Sequence, residues 1–304
     1  MLILNAIFPI FILLLLGSLL KRFKVTNAEF LNTADRLVYF VFFPVMLFWK
    51  IGSAAPDTGT GFSLFLAGIT AVFIVCVLSL IAIPVFGISR FQAGSFAQAC
   101  YRFNTYIGMA VVMNALGEDG VRYFGILIGF AIPVINVLSV TTLIWFSGKK
   151  QKISDHAARL IKALVSNPLI IGCLAGILFS RTSLEFPVFI NNTFSLMTSV
   201  TMPLALISIG GSLTLDGLKT NMVPASVAAG FKLIALPVIG YAMLKVFAVT
   251  GIPFRAGMIF FTLPTSPAIY VLSGQLNSDT QTASAAIMLS TLVSFFSLSA
   301  ALLL

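Results

Sequence analysis

Arg102-Phe103-Asn104-Thr105 and Leu263-Pro264-Thr265-Ser266-Pro267 each interrupt a long hydrophobic run near its middle. The two interruptions fall at matching places in the two halves of the chain. Membrane helices broken at corresponding positions are the sequence pointer to the binding site of a secondary transporter. Each break has the chemistry of a helix restart. Asn is among the best N-cap residues, which suits Asn104 ahead of Thr105. In the second break Pro264 denies the incoming helix a hydrogen bond. Ser266 can then cap, and Pro267 fits the first helical position.

Composition demands a membrane. The 304 residues are 59% hydrophobic and 9% charged, with mean hydropathy +1.07, whereas a soluble domain carries about 25% charged residues. Spans of ~20 residues with short loops leave room for about ten helices. A β-barrel would read as ~10-residue alternating segments, and these runs are continuous. The predicted spans are 2–21, 31–51, 62–86, 91–116, 120–146, 160–180, 187–213, 218–247, 254–275 and 279–303. The polar stretch Ser147–Lys162 divides them five and five.

An offset of 159 residues places Gly17 on Gly176, Asn32 on Asn191, Pro44 on Pro203, Gly52 on Gly211 and Thr105 on Pro264. The reading is a first five-helix repeat at 1–146, a cytoplasmic linker at 147–159 and a second five-helix repeat at 160–304. An odd number of spans makes the second unit enter from the opposite side, so the repeat is inverted. The net charge of +9 sits mainly in short loops, where it sets topology and does not mark nucleic-acid binding. Loops after odd spans carry Lys21, Arg22, Lys24, Arg90, Lys149, Lys150, Lys152, Arg159, Lys162 and Lys219. Loops after even spans carry Lys50, Arg122, Arg181 and Arg255, with Lys245 near the end of span eight as a fifth at most. Both termini are therefore expected outside the cytoplasm.

A restarting half-helix aims backbone N–H groups and a positive dipole end at the membrane middle. Two such ends are expected to cradle a carboxylate without a charged side chain. Arg102, beside the first break, costs ~2.5–3.5 kcal/mol to insert if it lies deep. It reads as a partner for an anion, a brace for crossed helices, or a side chain snorkelling to the interface. Lys232, within span eight, reads as a coupling residue or as a tether to backbone carbonyls. Asn136 in span five reads as a polar contact or interhelical glue. Pro44, Pro84, Pro133, Pro203 and Pro237 read as kinks. Asn5, Asn32, Asn191 and Asn192 read as caps, and Asp35-Arg36 as an interfacial pair. Intramembrane acids otherwise fall at span ends, which argues against a carboxylate relay. Cys76, Cys100 and Cys173 read as small buried hydrophobes. His156 lies in the linker. No metal cluster or phosphate-binding loop is present in the sequence, and no nucleophile–base constellation of an enzyme.

The ordered set of motifs resembles the auxin efflux carrier family, which includes plant PIN proteins and bacterial carriers for malate, malonate and related acids. It comprises Phe43-Pro44, Arg102-Phe-Asn104-Thr105-Tyr106-Ile-Gly108, Asn167-Pro168, Pro203-Leu-Ala-Leu-Ile-Ser-Ile-Gly210 and Pro264-Thr265-Ser266-Pro267-Ala-Ile-Tyr-Val. The resemblance runs from the first span to the last. It implies an all-α fold of ten transmembrane helices in two inverted repeats, with helices four and nine broken and crossing. It further implies scaffold and transport subdomains interleaved across both repeats, often in a homodimer. Substrate binding beside the crossover maps onto Asn104 and Asn136. The chain lacks the large cytoplasmic loop of many plant members, which argues against auxin as its substrate.

The expectation is a secondary active transporter of a small organic anion, a mono- or dicarboxylate, working by alternating access in a bacterial inner membrane. The substrate-binding set is Asn104, Thr105, Tyr106, Asn136, Thr265, Ser266 and Pro267, supported by Arg102 and Lys232, with Pro264 as the break. No cofactor is expected beyond a coupled proton or Na⁺. The rivals are an anion channel and a non-transporting ligand-binding sensor on the same scaffold.

Overall fold

Hydrocarbon offers the backbone no water to bond, so an apolar chain must satisfy its own amides within helices. The computed structural model describes residues 2–54, 59–147, 166–182, 184–213 and 220–304. The central linker, with His156 and its five basic residues, and Lys219 lie outside the described residues. The helices are α1 (Leu2–Arg22), α2 (Ala28–Leu37), α3 (Phe43–Gly52), α4 (Thr60–Val85), α5 (Arg90–Tyr101), α6 (Thr105–Ser147), α7 (Pro168–Phe179), α8 (Val188–Ser212), α9 (Met222–Gly230), α10 (Leu236–Val246), α11 (Gly251–Thr262), α12 (Ala268–Gln275) and α13 (Thr280–Ala301). No strand occurs among the described residues. Six stretches there are long and apolar enough to cross a membrane: Asn5–Arg22, Thr60–Val85, Thr105–Ser147, Val188–Ser212, Met222–Val246 and Thr280–Ala301.

Helix α6 is two arms. Gly117 has φ 64° and ψ −153°, a conformation that glycine adopts without a Cβ clash. A Cβ built on Gly120 would lie 3.0 Å from Val112, and one on Gly108 would touch Phe124. Residues 108 and 124 would stand about 24 Å apart in a straight helix, so the chain doubles back at Gly117. Helices α2 and α3 join through a π-turn at Val38–Phe42, and α9 and α10 through another at Phe231–Ala235. Pro44 and Pro237 lie just beyond them. Proline offers no N–H and its ring crowds the carbonyl four residues back. The wider i→i−5 turns, Phe43 N–H to Val38 O and Leu236 N–H to Phe231 O, absorb that mismatch.

Two pairs of glycine contacts set the packing of four helices. Gly17 of α1 faces the Ile207 carbonyl of α8 directly, and Gly210 of α8 faces the Leu14 carbonyl of α1. On the other pair, Gly176 of α7 faces the Phe48 carbonyl of α3, and Gly172 faces the Pro44 carbonyl. Small residues let membrane helices approach until their backbones touch, which maximises dispersion contact where lipid gives no hydrophobic drive.

Caps fall where short polar side chains precede a helix. Asn27 caps α2, Ser89 caps α5 through a reciprocal box with Gln92, Asn167 caps α7 and Asp279 caps α13. The expected cap Asn191 instead accepts from Trp49 Nε1 at 2.8 Å and donates to the Phe186 carbonyl at 3.0 Å, tying α8 to α3.

Gly17→Val should push α1 from α8 and cost about 1–3 kcal/mol by overpacking. Gly230→Ala, where nothing lies within 4 Å of the added carbon, should leave the melting temperature unchanged or slightly raised. Thermal unfolding in detergent checks the pair.

Candidate functional site

The two breaks repair one another. After α5 the chain runs extended through Arg102 (φ −71°, ψ 135°), and after α11 it does so through Leu263 (φ −62°, ψ 148°). The extended pieces pass antiparallel, with Phe103 bridged to Thr265 and Asn104 N–H donating to Pro264 O at 2.9 Å. The last carbonyls of the incoming helices would otherwise be orphans. Thr265 Oγ1 donates to Ala99 O at 2.9 Å, Ser297 Oγ to Thr262 O at 2.9 Å and Lys232 Nζ to Phe261 O at 3.1 Å. The Thr265 N–H goes to Ser290 Oγ at 3.1 Å. Gln98 reaches Ser273 Oγ at 3.0 Å and holds α5 to α12.

Lys232 is fully buried. Its ammonium sits at the C-terminal end of α11, where the helix dipole is negative. Of the two readings of this lysine, the geometry is that of the carbonyl tether. Thr265 is likewise fully buried and commits its amide and hydroxyl to neighbouring segments, so the expectation that it faces substrate is corrected: it locks the crossover.

Beside the crossover lies a cavity of about 1000 Å³. Its wall includes Arg102, Asn104, Thr105, Tyr106, Asn136, Ser266 and Pro267, seven of the residues singled out from the sequence. Asn104 Oδ1 accepts from Tyr106 N–H at 3.1 Å and Ile107 N–H at 3.2 Å, capping the restarted helix. That cap fixes the amide's orientation, since only the oxygen can accept. Asn104 Nδ2 is then buried with no protein partner. Arg102 Nη2 donates to Asn136 Oδ1 at 2.8 Å, and Arg102 Nη1 is buried without a partner. Ser266 Oγ accepts from Ala268 N–H at 3.3 Å, leaving its O–H without a protein acceptor.

This corrects the expected role of the backbone. The N–H groups of Tyr106 and Ile107 go to the Asn104 side chain, and Gly108 N–H goes to Asn104 O. Ala268, Ile269 and Tyr270 N–H groups go to Ser266 Oγ, Ser266 O and Pro267 O. The buried side-chain donors left without a partner are Arg102 Nη1 and Asn104 Nδ2, while the helix starts contribute their dipoles.

The cavity wall also holds Asn32, Asp35 and Tyr39 of the second span. Asn32 is therefore not a cap, and Asp35 forms no ion pair with Arg36. Among the described residues the ion pair found is Lys50–Glu118 at 2.6 Å. The spacing of Asn32, Asp35 and Tyr39, i, i+3 and i+7, puts them on one helix face, and this stripe is the signal that would have revealed them. The wall continues to Lys21, Ala28 and Gln281. It thus reaches the end of the second span opposite to Lys50.

The family model described as membrane transport protein matches residues 2–302. A protein of Rhizobium meliloti (strain 1021) named "Putative malonate transporter" is 24% identical over 95% of this chain and 91% of its own length. An uncharacterized transporter of Methanothermobacter thermautotrophicus is 23% identical over 97% of this chain and 95% of its own. An uncharacterized transporter of Methanocaldococcus jannaschii is 21% identical over 94% of each. With its apolar helices and a match from end to end, the chain belongs to the membrane transport protein family, that of the auxin efflux carriers, and is an integral membrane transporter rather than an enzyme.

Proposed function

We propose that the chain is a secondary active transporter that carries a small mono- or dicarboxylate by alternating access. The observation that carries this reading is the pair of buried, unpartnered donors, Arg102 Nη1 and Asn104 Nδ2, on the wall of one cavity. Buried polar groups are almost always bonded, and an orphan needs an explanation. Two N–H donors, one of them cationic, call for an anionic acceptor with two oxygens. Ser266 O–H adds a third donor, and Asn136 holds the guanidinium in place. Thr105, Tyr106 and Pro267 shape the wall. A short dicarboxylate of the malonate type, named for the Rhizobium relative, has the charge and length for such a site.

The packing supports an inverted repeat of ten spans. Gly17 against Ile207 and Gly176 against Phe48 are related by the same offset of 159 residues in both partners. The breaks at Thr105 and Pro264 obey that offset too. In support of alternating access, the cavity wall reaches Lys21 at one end of the second span and does not include Lys50 or Glu118 at the other. At the far end of the second span the Lys50–Glu118 pair links α3 to the start of α6's second arm. With the basic Lys21, Arg22 and Lys24 facing the cytoplasm, the cavity is inward-open, the termini are extracytoplasmic and the bilayer is the bacterial inner membrane. Spans one, two, six and seven form one body, and the crossover helices with their neighbours form the other.

Purified protein in liposomes should show counterflow: unlabelled malonate inside accelerates entry of labelled malonate, which neither a channel nor a sensor would do. Asn104→Asp keeps the capping oxygen but replaces the Nδ2 donor with negative charge, and it should abolish exchange while melting as the wild type does. Unchanged exchange in that variant would remove Asn104 from the site.

Arg102→Gln should weaken malonate binding about 10–100-fold, the equivalent of a hydrogen bond to a charged group worth about 1.5–3 kcal/mol. Thr265→Val should instead lower stability by about 1 kcal/mol with the dissociation constant unchanged. Calorimetry and thermal unfolding separate the two effects.

A further inference from the structure

Asp35 is the one acidic side chain among the described residues that line the cavity. It stands on α2, a turn before Tyr39 and on the same face. The titratable and charged groups around the cavity with it are Lys21 at the end of α1, Tyr39, Arg102 and Tyr106 of the crossover, and Tyr270 of α12. Helix α8, against which α2 packs, brings only hydroxyls, Ser208 and Ser212, and Ser208 Oγ is already donated to Leu31 O at 2.8 Å. Helix α13 brings Thr280, Gln281 and Ser284. Tyr39 and Tyr106 line the same cavity as Asp35 and Arg102. The acid and the guanidinium thus face one space with two phenols beside them, yet they form no ion pair.

Apart from Lys21 at the end of α1, the formal charges on the wall are the Asp35 carboxylate and the Arg102 guanidinium, which sum to zero. A carboxylate substrate that docks on Arg102 and Asn104 adds a negative charge in the same cavity. Like charges at one site disfavour each other's ionised forms. Neutrality returns for a monoanion if the acid takes up a proton.

We infer that Asp35 is the proton-coupling carboxylate of this transporter: it is ionised in the empty cavity, takes a proton at Oδ as the anion enters, and releases it when the anion leaves. This rests on the carrier reading above. The coupling is reciprocal. A bound anion favours protonated Asp35, so lowering the pH through the titration of Asp35 tightens anion binding, and raising it weakens binding by up to tenfold per pH unit. Transport is then anion–proton symport, and a proton gradient can drive accumulation.

The test uses wild-type protein, Asp35→Asn and Asp35→Glu in liposomes with labelled malonate. Two quantities are read: counterflow at equal pH on both sides, and accumulation driven by an acidic exterior. Malonate's own titration is common to all three proteins and cancels in the comparison. Wild type should do both. Asp35→Asn should keep counterflow within about threefold and lose the pH-driven accumulation, with an affinity less dependent on pH than the wild type's. Asp35→Glu should recover accumulation. Gradient-driven accumulation by Asp35→Asn, its absence in the wild type, or joint loss of exchange and accumulation in a normally melting Asp35→Asn would overturn the inference. Absence of counterflow in the wild type would count against the carrier reading itself, and so is distinguishable.

Discussion

Every backbone amide and carbonyl inside hydrocarbon must find a partner within the protein, and this single constraint dictates the crossover. A helix broken in mid-membrane exposes carbonyls on one side of the break and N–H groups on the other. One break alone has no regular way to satisfy them. Two extended pieces laid antiparallel bond each other, as Asn104 N–H does with Pro264 O. Side chains from the same neighbourhood take the remaining carbonyls: Thr265 serves α5, while Lys232 and Ser297 serve α11. Arg102 and Asn104 are consequently held in place by groups that exist to repair the backbone.

Asn104 shows how closely fold and site are bound together. Its side-chain oxygen belongs to the fold, since it caps the restarted helix. Its nitrogen points to the cavity wall and has no partner. Arg102 is divided in the same way, with one nitrogen held by Asn136 and the other unpartnered. Donors fixed before the ligand arrives cost little ordering on binding. An unfilled buried donor is costly to the empty protein, and that cost is relieved when an acceptor enters.

Much of this was legible in the sequence because membrane physics leaves few options. Apolar runs of sufficient length had to be helices, and Asn104, Ser266 and Pro267 carried restart signals that the structure uses. Arg102 and Asn136 could be singled out as polar groups in apolar surroundings, but not as partners, since 34 residues of sequence separate them. Thr265 could not be told from Ser266 by type: both are small hydroxyl residues in a break, and only tertiary contacts decide which faces the cavity and which faces Ala99. Asp35 was misread because adjacency to Arg36 suggested a pair. Successive residues on a helix point about 100° apart, and the face shared with Asn32 and Tyr39 is the one that matters. The two π-turns were also out of reach, although the prolines that provoke them were plain.

The distribution of bonds between the cavity's two walls bears on how such a site can change its exposure. Within the crossover body, Ser95, Gln98, Ser273 and Ser278 form a buried polar web across segments far apart in the chain. Within the opposite body, backbone contact at Gly17 and Gly176 locks α1 to α8 and α7 to α3. Between these two groups of helices the polar ties are sparse: Lys50 with Glu118, Asn114 Nδ2 with Ala6 O at 3.3 Å and Cys173 Sγ with Gly125 O at 3.4 Å. The Lys50–Glu118 pair has a largely exposed acid, and exposed pairs contribute only about 0–1 kcal/mol. In the proposed carrier, two such units joined mainly by apolar contact would move relative to one another without breaking either interior. In that proposal the donors of Arg102 and Asn104 belong to one unit and Asp35 to the other, so the charges that meet in the cavity would part when the units do.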